Sequence, residues 1–190
     1  CTAHHRDYRK SKMQLPTPEE LLDKMAGELD GLLKNKGIVE PLVVGIHTGG
    51  VWVADILHQK LGLEEPLASL DISFYRDDFS RLGVNPQVKP SELPPDVDDQ
   101  HIILVDDVLH TGRTIRAAMN ELFDFGRPAS VTLVCMVVRS GRELPLQADI
   151  SGIHIDLAED EHIKITGPDP LAFELLTNAA EQKHEDIAQS

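Results

Sequence analysis

Asp106 and Asp107 stand side by side in the stretch ILVDDVLHTGRTIRAAM, residues 103–119, after an apolar run and before a small-residue loop that enters a helix-like segment. Two adjacent ionised carboxylates repel each other, so the pair calls for something positive or hydrogen-bond-donating against it. A polyhydroxyl group or a metal ion meets that need. Thr111, Gly112, Arg113 and Thr114 come next. Backbone N–H groups at a helix start, backed by the helix dipole and two hydroxyls, form a cradle for an anion. One ligand carrying a vicinal diol and a nearby phosphate satisfies both halves, and a ribose 5-phosphate is such a ligand. Each part alone is ordinary, since an Asp pair also caps turns and Thr-Gly-Arg-Thr is also a plain helix start. Their order is what carries the expectation.

A second short motif has the same flavour. His47, Thr48, Gly49 and Gly50 follow the apolar run LVVGI, residues 42–46. Two adjacent glycines there permit close backbone approach beside an anion.

These motifs need elements to hold them. Residues 17–37 open with Thr17 as N-cap, Pro18 at the first helical position and Glu20 completing a capping box, and they close at Gly37. Leu21, Leu22, Met25, Leu29, Leu32 and Leu33 recur at helical spacing, predicting an amphipathic packing helix. A strand over 42–46, a helix over 49–62 and an alternating strand over 67–75 give a β-α-β rhythm. The proline- and acid-rich stretch that follows, about 76–100, lacks periodicity and predicts a mobile functional loop. Strands are expected at 101–105 and 131–138, with a helix at about 114–125 between them and strand-like segments in ISGIHIDL and HIKIT. LAFELLTNAAEQ, residues 171–182, reads as a terminal helix. Near-continuous apolar strands alternating with helices argue for an α/β fold, a parallel sheet covered on both faces. Ligands then bind at the carboxyl ends of the strands, where the acid pair sits.

The chain has 190 residues and is 41% hydrophobic, enough for one domain with a real core. We divide it into an N-terminal segment at 1–16 expected to be disordered, a single domain at 17–167, and a helical or disordered tail at 168–190. No apolar run is long enough to span a membrane. Two cysteines, Cys1 and Cys135, make neither a disulfide framework nor a metal site, so a reducing cytoplasm is the expected setting. A net charge of −14 works against nucleic-acid backbones. No hydrolase triad and no Walker or dinucleotide motif is present.

The strand, acid pair, spacer, Thr-Gly-x-Thr and helix resemble the phosphoribosyl pyrophosphate (PRPP) motif of type I phosphoribosyltransferases. DISFYRDDFSRLG, VDDVLHTGRTIRAAMNEL and FGRPASVTLVCMVVRSGRELPLQAD look more narrowly like the PyrR family of pyrimidine operon regulators and uracil phosphoribosyltransferases, over residues 18 to 166. The resemblance implies the type I phosphoribosyltransferase fold, mostly parallel with a small hood. It also implies conversion of uracil and PRPP to UMP and pyrophosphate with Mg²⁺. It would give Asp106 and Asp107 the ribose hydroxyls, with Mg²⁺ reached only through PRPP and water. His110, Thr111, Gly112, Arg113 and Thr114 would hold the 5′-phosphate, and Thr48, Gly49 and Gly50 the pyrophosphate. Arg76 would close over the pyrophosphate, and the base would lie against Val137, Val138 and Arg139. A homodimer or larger homo-oligomer is implied as well.

Four departures stand out. His110 occupies a position usually aromatic in that family, and Gly49 one where Arg is common. Ser140-Gly141 replaces a stretch that usually holds His. The first helix carries Asp23, Glu28 and Asp30 where RNA-binding relatives are more basic. The alternative expectation is therefore a weakly catalytic sensor of PRPP or UMP that binds RNA or a protein partner.

Overall fold

The computed structural model describes residues 15–72 and 91–177. Helix α1, Pro18–Lys36, begins as its sequence dictates: the Thr17 hydroxyl accepts from Glu20 N, and the Glu20 carboxylate accepts from Thr17 N. Gly37 ends it at φ 66°, a left-handed turn that suits a residue without Cβ. Of the predicted stripe, Leu32 alone is only partly buried.

Five strands form one parallel sheet: β1 Leu42–Ile46, β2 Ala68–Leu70, β3 His101–Leu109, β4 Ser130–Arg139 and β5 Ile150–Ile155. Their order is β2-β1-β3-β4-β5. Helix α2, Gly49–Leu61, follows β1, and helix α3, Arg113–Asp124, follows β3. Alternate strand residues face opposite layers, and both layers are built of buried apolar side chains. Met25, Leu29, Val53 and Leu57 from α1 and α2 pack with Val43, Ile103 and Val105 on one face. Ile115, Ala118 and Leu122 from α3 pack with Val44, Leu104 and Leu133 on the other. This double burial explains why the strands read as unbroken apolar runs. Among the described residues no helix is long and apolar enough to cross a membrane.

Strands β6, Glu161–Thr166, and β7, Ala172–Thr177, pair antiparallel as a separate hood. Its root is secured by Ile163 and Ile165, which are buried in the α1/α2 layer.

Three expectations need correction. The terminal helix over 171–182 is contradicted where the structure describes it, because 172–177 is strand β7. Pairing decides the matter: Phe173 lies opposite Ile165, Leu175 opposite Ile163, and Glu174 opposite Lys164. A strand's period of two sets the apolar pair members on one face and the charged pair on the other. The mobile loop at 76–100 is too long at its far end, since residues 91–100 are anchored. Val97 is buried, Val97 N donates to Phe125 O, and Glu92 bridges backbone to Ser69. Finally, β3 does not stop at residue 105 but runs through both acids to Leu109.

Candidate active site

The chain leaves β1 toward β2 on one side and returns to β3 on the other. Such a reversal leaves a crevice beyond the strand ends, the usual ligand position in an open α/β sheet. Both motif loops converge there. Pairing of β1 with β3 ends at Gly45 opposite Val105, after which the β1 chain turns into α2. β3 continues against β4 alone, with Asp106 opposite Cys135 and Leu109 opposite Val138. The acids therefore lie on a strand that has lost one neighbour, which opens one flank to a ligand.

Glycines bring the start of α2 onto that flank. A Cβ on Gly50 would fall 2.7 Å from Val105 O and 3.0 Å from Asp106 Cα. One on Gly49 would strike the Asp107 carboxyl group, 2.7 Å from its Cγ. Asp106 is buried and its Oδ1 accepts from Asp107 N at 3.0 Å; Asp107 is half-buried and its Oδ1 accepts from Val108 N at 2.8 Å. The His47–Thr48 peptide between β1 and α2 is cis.

The helix starts differ in a telling way. α1, remote from the crevice, has a full capping box and acids in its first turn. α2 and α3 have no side-chain bond from their N-cap residues, Thr48 and Gly112, and no acid in their first turns. The Asp107 carboxyl group lies against Gly49 at the start of α2, and the remaining N–H groups of both first turns suit an anionic ligand. The loop before α3 is partly braced from within, since Arg113 N donates to the Thr111 hydroxyl at 3.3 Å. Segment 143–144 braces it from outside, with Glu143 N and Leu144 N both donating to Thr111 O at 3.1 Å. The Arg113 guanidinium meets one oxygen of Glu143 at 3.1 and 2.9 Å.

Beside this lies a cavity of ≈ 450 Å³ whose walls include His110, Val138, Arg139, Gln147, His154 and Asp156. Of the residues expected to flank a base, Val138 and Arg139 line it, whereas Val137 is fully buried in the core. Arg139 turns its side chain into the hood: Nη1 donates to Glu161 O at 3.0 Å and Nη2 to Ala158 O at 3.4 Å. It therefore fixes the root of β6 over the strand ends. His154 and Asp156 escaped sequence reasoning because they come from β5 and the turn after it, far from either motif. Arg76 falls outside the described residues.

The His110 ring packs over Gly141, where a Cβ would sit 2.9 Å from Nε2. Partial burial, then Arg139 and His162, hold its pKa below the usual histidine value, against the opposing pull of Glu143. Folded His110 thus takes up its proton later than the unfolded chain as pH falls. Its contribution to stability is complete above about pH 6.5 and is lost as pH drops below that value. An NMR titration should find His110 below about 6.5, and lower still in Glu143→Gln, where the opposing pull is gone. Cys135, behind the acid pair, has its pKa raised well above normal by burial and by Asp106 and Asp107, so it remains a thiol.

Residues 15–168 match the phosphoribosyl transferase domain family. Together with the parallel sheet, hood and acid pair, this defines the chain as a phosphoribosyltransferase of the type I fold. The Bifunctional protein PyrR of Pseudomonas paraeruginosa is 59% identical over 85% of this chain and 95% of its own. That of Pseudomonas putida is 57% identical over 85% and 94%. The chain belongs to the PyrR family. Among solved structures, Trypanosoma cruzi hypoxanthine phosphoribosyl transferase superposes with a TM-score of 0.67 at 21% identity, covering 95% of this chain and 99% of that one. At that identity the likeness carries the fold and leaves the base open.

Proposed function

We propose that the chain transfers the phosphoribosyl group of PRPP to uracil, giving UMP and pyrophosphate, with pyrimidine-gene regulation as a second role. The carrying observation is the acid pair on the end of β3 that β4 alone pairs, flanked by two helix starts whose N-cap residues make no side-chain bond. Asp106 and Asp107 accept hydrogen bonds from the ribose 2′ and 3′ hydroxyls, and charge on these acceptors strengthens both. The N-terminus of α3 with Thr111 and Thr114 receives the 5′-phosphate, and Thr48, Gly49 and Gly50 at the start of α2 receive the pyrophosphate. Arg76 adds a cation over the leaving group. With both ends of PRPP held, the anomeric carbon is kept in line between uracil in the cavity and the departing pyrophosphate. Breaking the bond to pyrophosphate leaves positive charge on the ribose, which Asp107 at the crevice is placed to favour.

Among the described residues no group of three or more His, Cys, Asp or Glu is arranged to hold a metal ion. Two neighbouring carboxylates fit a Mg²⁺ that arrives with PRPP and is held mainly by phosphate, sugar and water oxygens, with Asp106 and Asp107 indirect. Bound there, it would offset charge on the leaving group. We place the protein in the cytoplasm as a homodimer or higher homo-oligomer.

The relatives' name, bifunctional, supports the paired roles over a sensor without turnover. Labelled uracil with PRPP and Mg²⁺ tests the enzyme: UMP should form, and a base panel without UMP but with another nucleotide would transfer the reading to that base. A gel shift with pyrimidine leader RNA tests the second role; absence of binding at low salt would remove RNA from it, as the net charge of −14 already disfavours phosphate contacts.

A further inference from the structure

Arg139 is the last residue of β4, and only 7% of it is exposed. A guanidinium stays charged in a protein, so this is a buried cation. Such a charge is costly to bury without a carboxylate beside it. Among the described residues Arg139 has no carboxylate partner. Its Nη1 and Nη2 donate to the neutral carbonyls of Glu161 and Ala158, and Nη1 stands 3.5 Å from His162 Nδ1. The remaining donor, Nε, is buried and has no hydrogen-bond acceptor among the described residues. A buried donor left over in this way is rare and calls for an acceptor from a ligand.

Arg139 also lines the ≈ 450 Å³ cavity beside the acid pair, and its field reaches His110 on the same wall, whose pKa it helps to hold down. The acids nearby are placed otherwise: Asp156 is exposed on the cavity wall, and the Glu161 carboxylate accepts from Ala158 N at 3.2 Å. A cation with a spare N–H in that wall suits one chemistry. Uracil bonds the ribose through N1, and N1 carries a proton that must leave. The resulting anion spreads its charge onto the two carbonyl oxygens, so a cation beside them favours it. We infer that Arg139 is a catalytic residue that donates Nε–H to a carbonyl oxygen of uracil and promotes loss of the N1 proton to water. N1 then bonds the anomeric carbon as the bond to pyrophosphate breaks, its electron pair leaving on pyrophosphate. The inference rests on the uracil reading of the cavity.

The test compares kcat/KM for uracil and for 5-fluorouracil, whose N1–H is more acidic, in the wild type, Arg139→Gln and Arg139→Lys. The wild type should favour the fluorinated base by no more than about fivefold, because the guanidinium already supplies what the fluorine adds. Arg139→Gln should lose on the order of 100-fold with uracil but only about tenfold with 5-fluorouracil, while KM for PRPP holds. Arg139→Lys keeps the charge, so the ratio of the two bases should stay within about twofold of the wild type even where KM for both rises. A strut that only carries the hood would cost both bases equally in Arg139→Gln. That result, a ratio raised as far by Lys as by Gln, or a wild type beyond the fivefold limit would overturn the inference and leave the enzyme reading standing. Should Arg139→Gln fail to fold, the wild-type and Arg139→Lys ratios decide alone. A wild type that forms no UMP would overturn both.

Discussion

Asp107→Asn should lower kcat/KM for PRPP by on the order of 100-fold while leaving the melting temperature close to that of the wild type. The substitution keeps shape and removes charge. Asp107 is half-buried at the rim of the crevice and engages Val108 N through Oδ1, a bond an amide oxygen can keep. What is lost is the anionic acceptor for a ribose hydroxyl and its favourable field at the anomeric carbon, and removing one such electrostatic contact to a transition state costs on the order of 100-fold. Asp106 is a poorer probe, because it is 3% exposed and also accepts from Asp107 N, so its loss mixes folding with function. Measured UMP formation in Asp107→Asn within about threefold of the wild type would remove the acid pair from the mechanism.

Gly49→Ala should separate stability from activity in the opposite direction to most buried substitutions. Gly49 lies in the first turn of α2 in a helical segment, where alanine gains about 1 kcal/mol of intrinsic preference. Its Cβ, however, would land 2.7 Å from Asp107 Cγ. Cβ positions on Gly45 and Gly50 would meet Val51 Cα and Val105 O at 2.7 Å, so the interface between β1, α2 and β3 is at backbone contact, and retreat of α2 would disturb the packing of Val53 and Leu57 in the layer shared with α1. The carboxylate is the part able to move, by leaving its rotamer. We expect chemical denaturation to change by no more than about 1–2 kcal/mol, while kcat/KM for PRPP drops by about 10- to 100-fold. Gly49→Arg, which restores the residue common in the PyrR pattern, should fare no better despite its added charge. An Ala variant with wild-type turnover would show that Asp107 need not lie against α2.

The parts of this fold that were legible in the sequence are those set by local chemistry. Thr17, Pro18, Glu20 and Gly37 specify the ends of α1 because capping depends on residues within one turn. The parallel sheet was legible because strands buried on both faces leave long apolar runs. The end of β3 was not: Asp106 and Asp107 read as a strand terminus, yet β4 outlasts β1 and carries the ladder on to Leu109, which only the neighbouring strand decides. β7 was misread for the same reason, since AFELLT has helix-forming residues whose strand state comes from β6. The two motifs identified the acid pair and both helix starts, but not their contact across Gly49. Nor could spacing reveal that Arg139 spends its guanidinium on Glu161 and Ala158 carbonyls, or that Glu143 reaches Arg113.

The contrast between α1 and the other two helix starts bears on folding as well as on binding. α1 is finished by a full capping box, whereas the N-cap residues of α2 and α3 at the crevice make no side-chain bond. An anion that fills both starts gives their N–H groups a partner only when the chain is folded, because only the fold brings the two starts together. Native stability then becomes a function of metabolite concentration, rising as the logarithm of free ligand over its dissociation constant. A cell rich in PRPP would hold a sturdier, longer-lived population of this protein than a cell depleted of it, and substrate supply would set the amount of enzyme along with its rate.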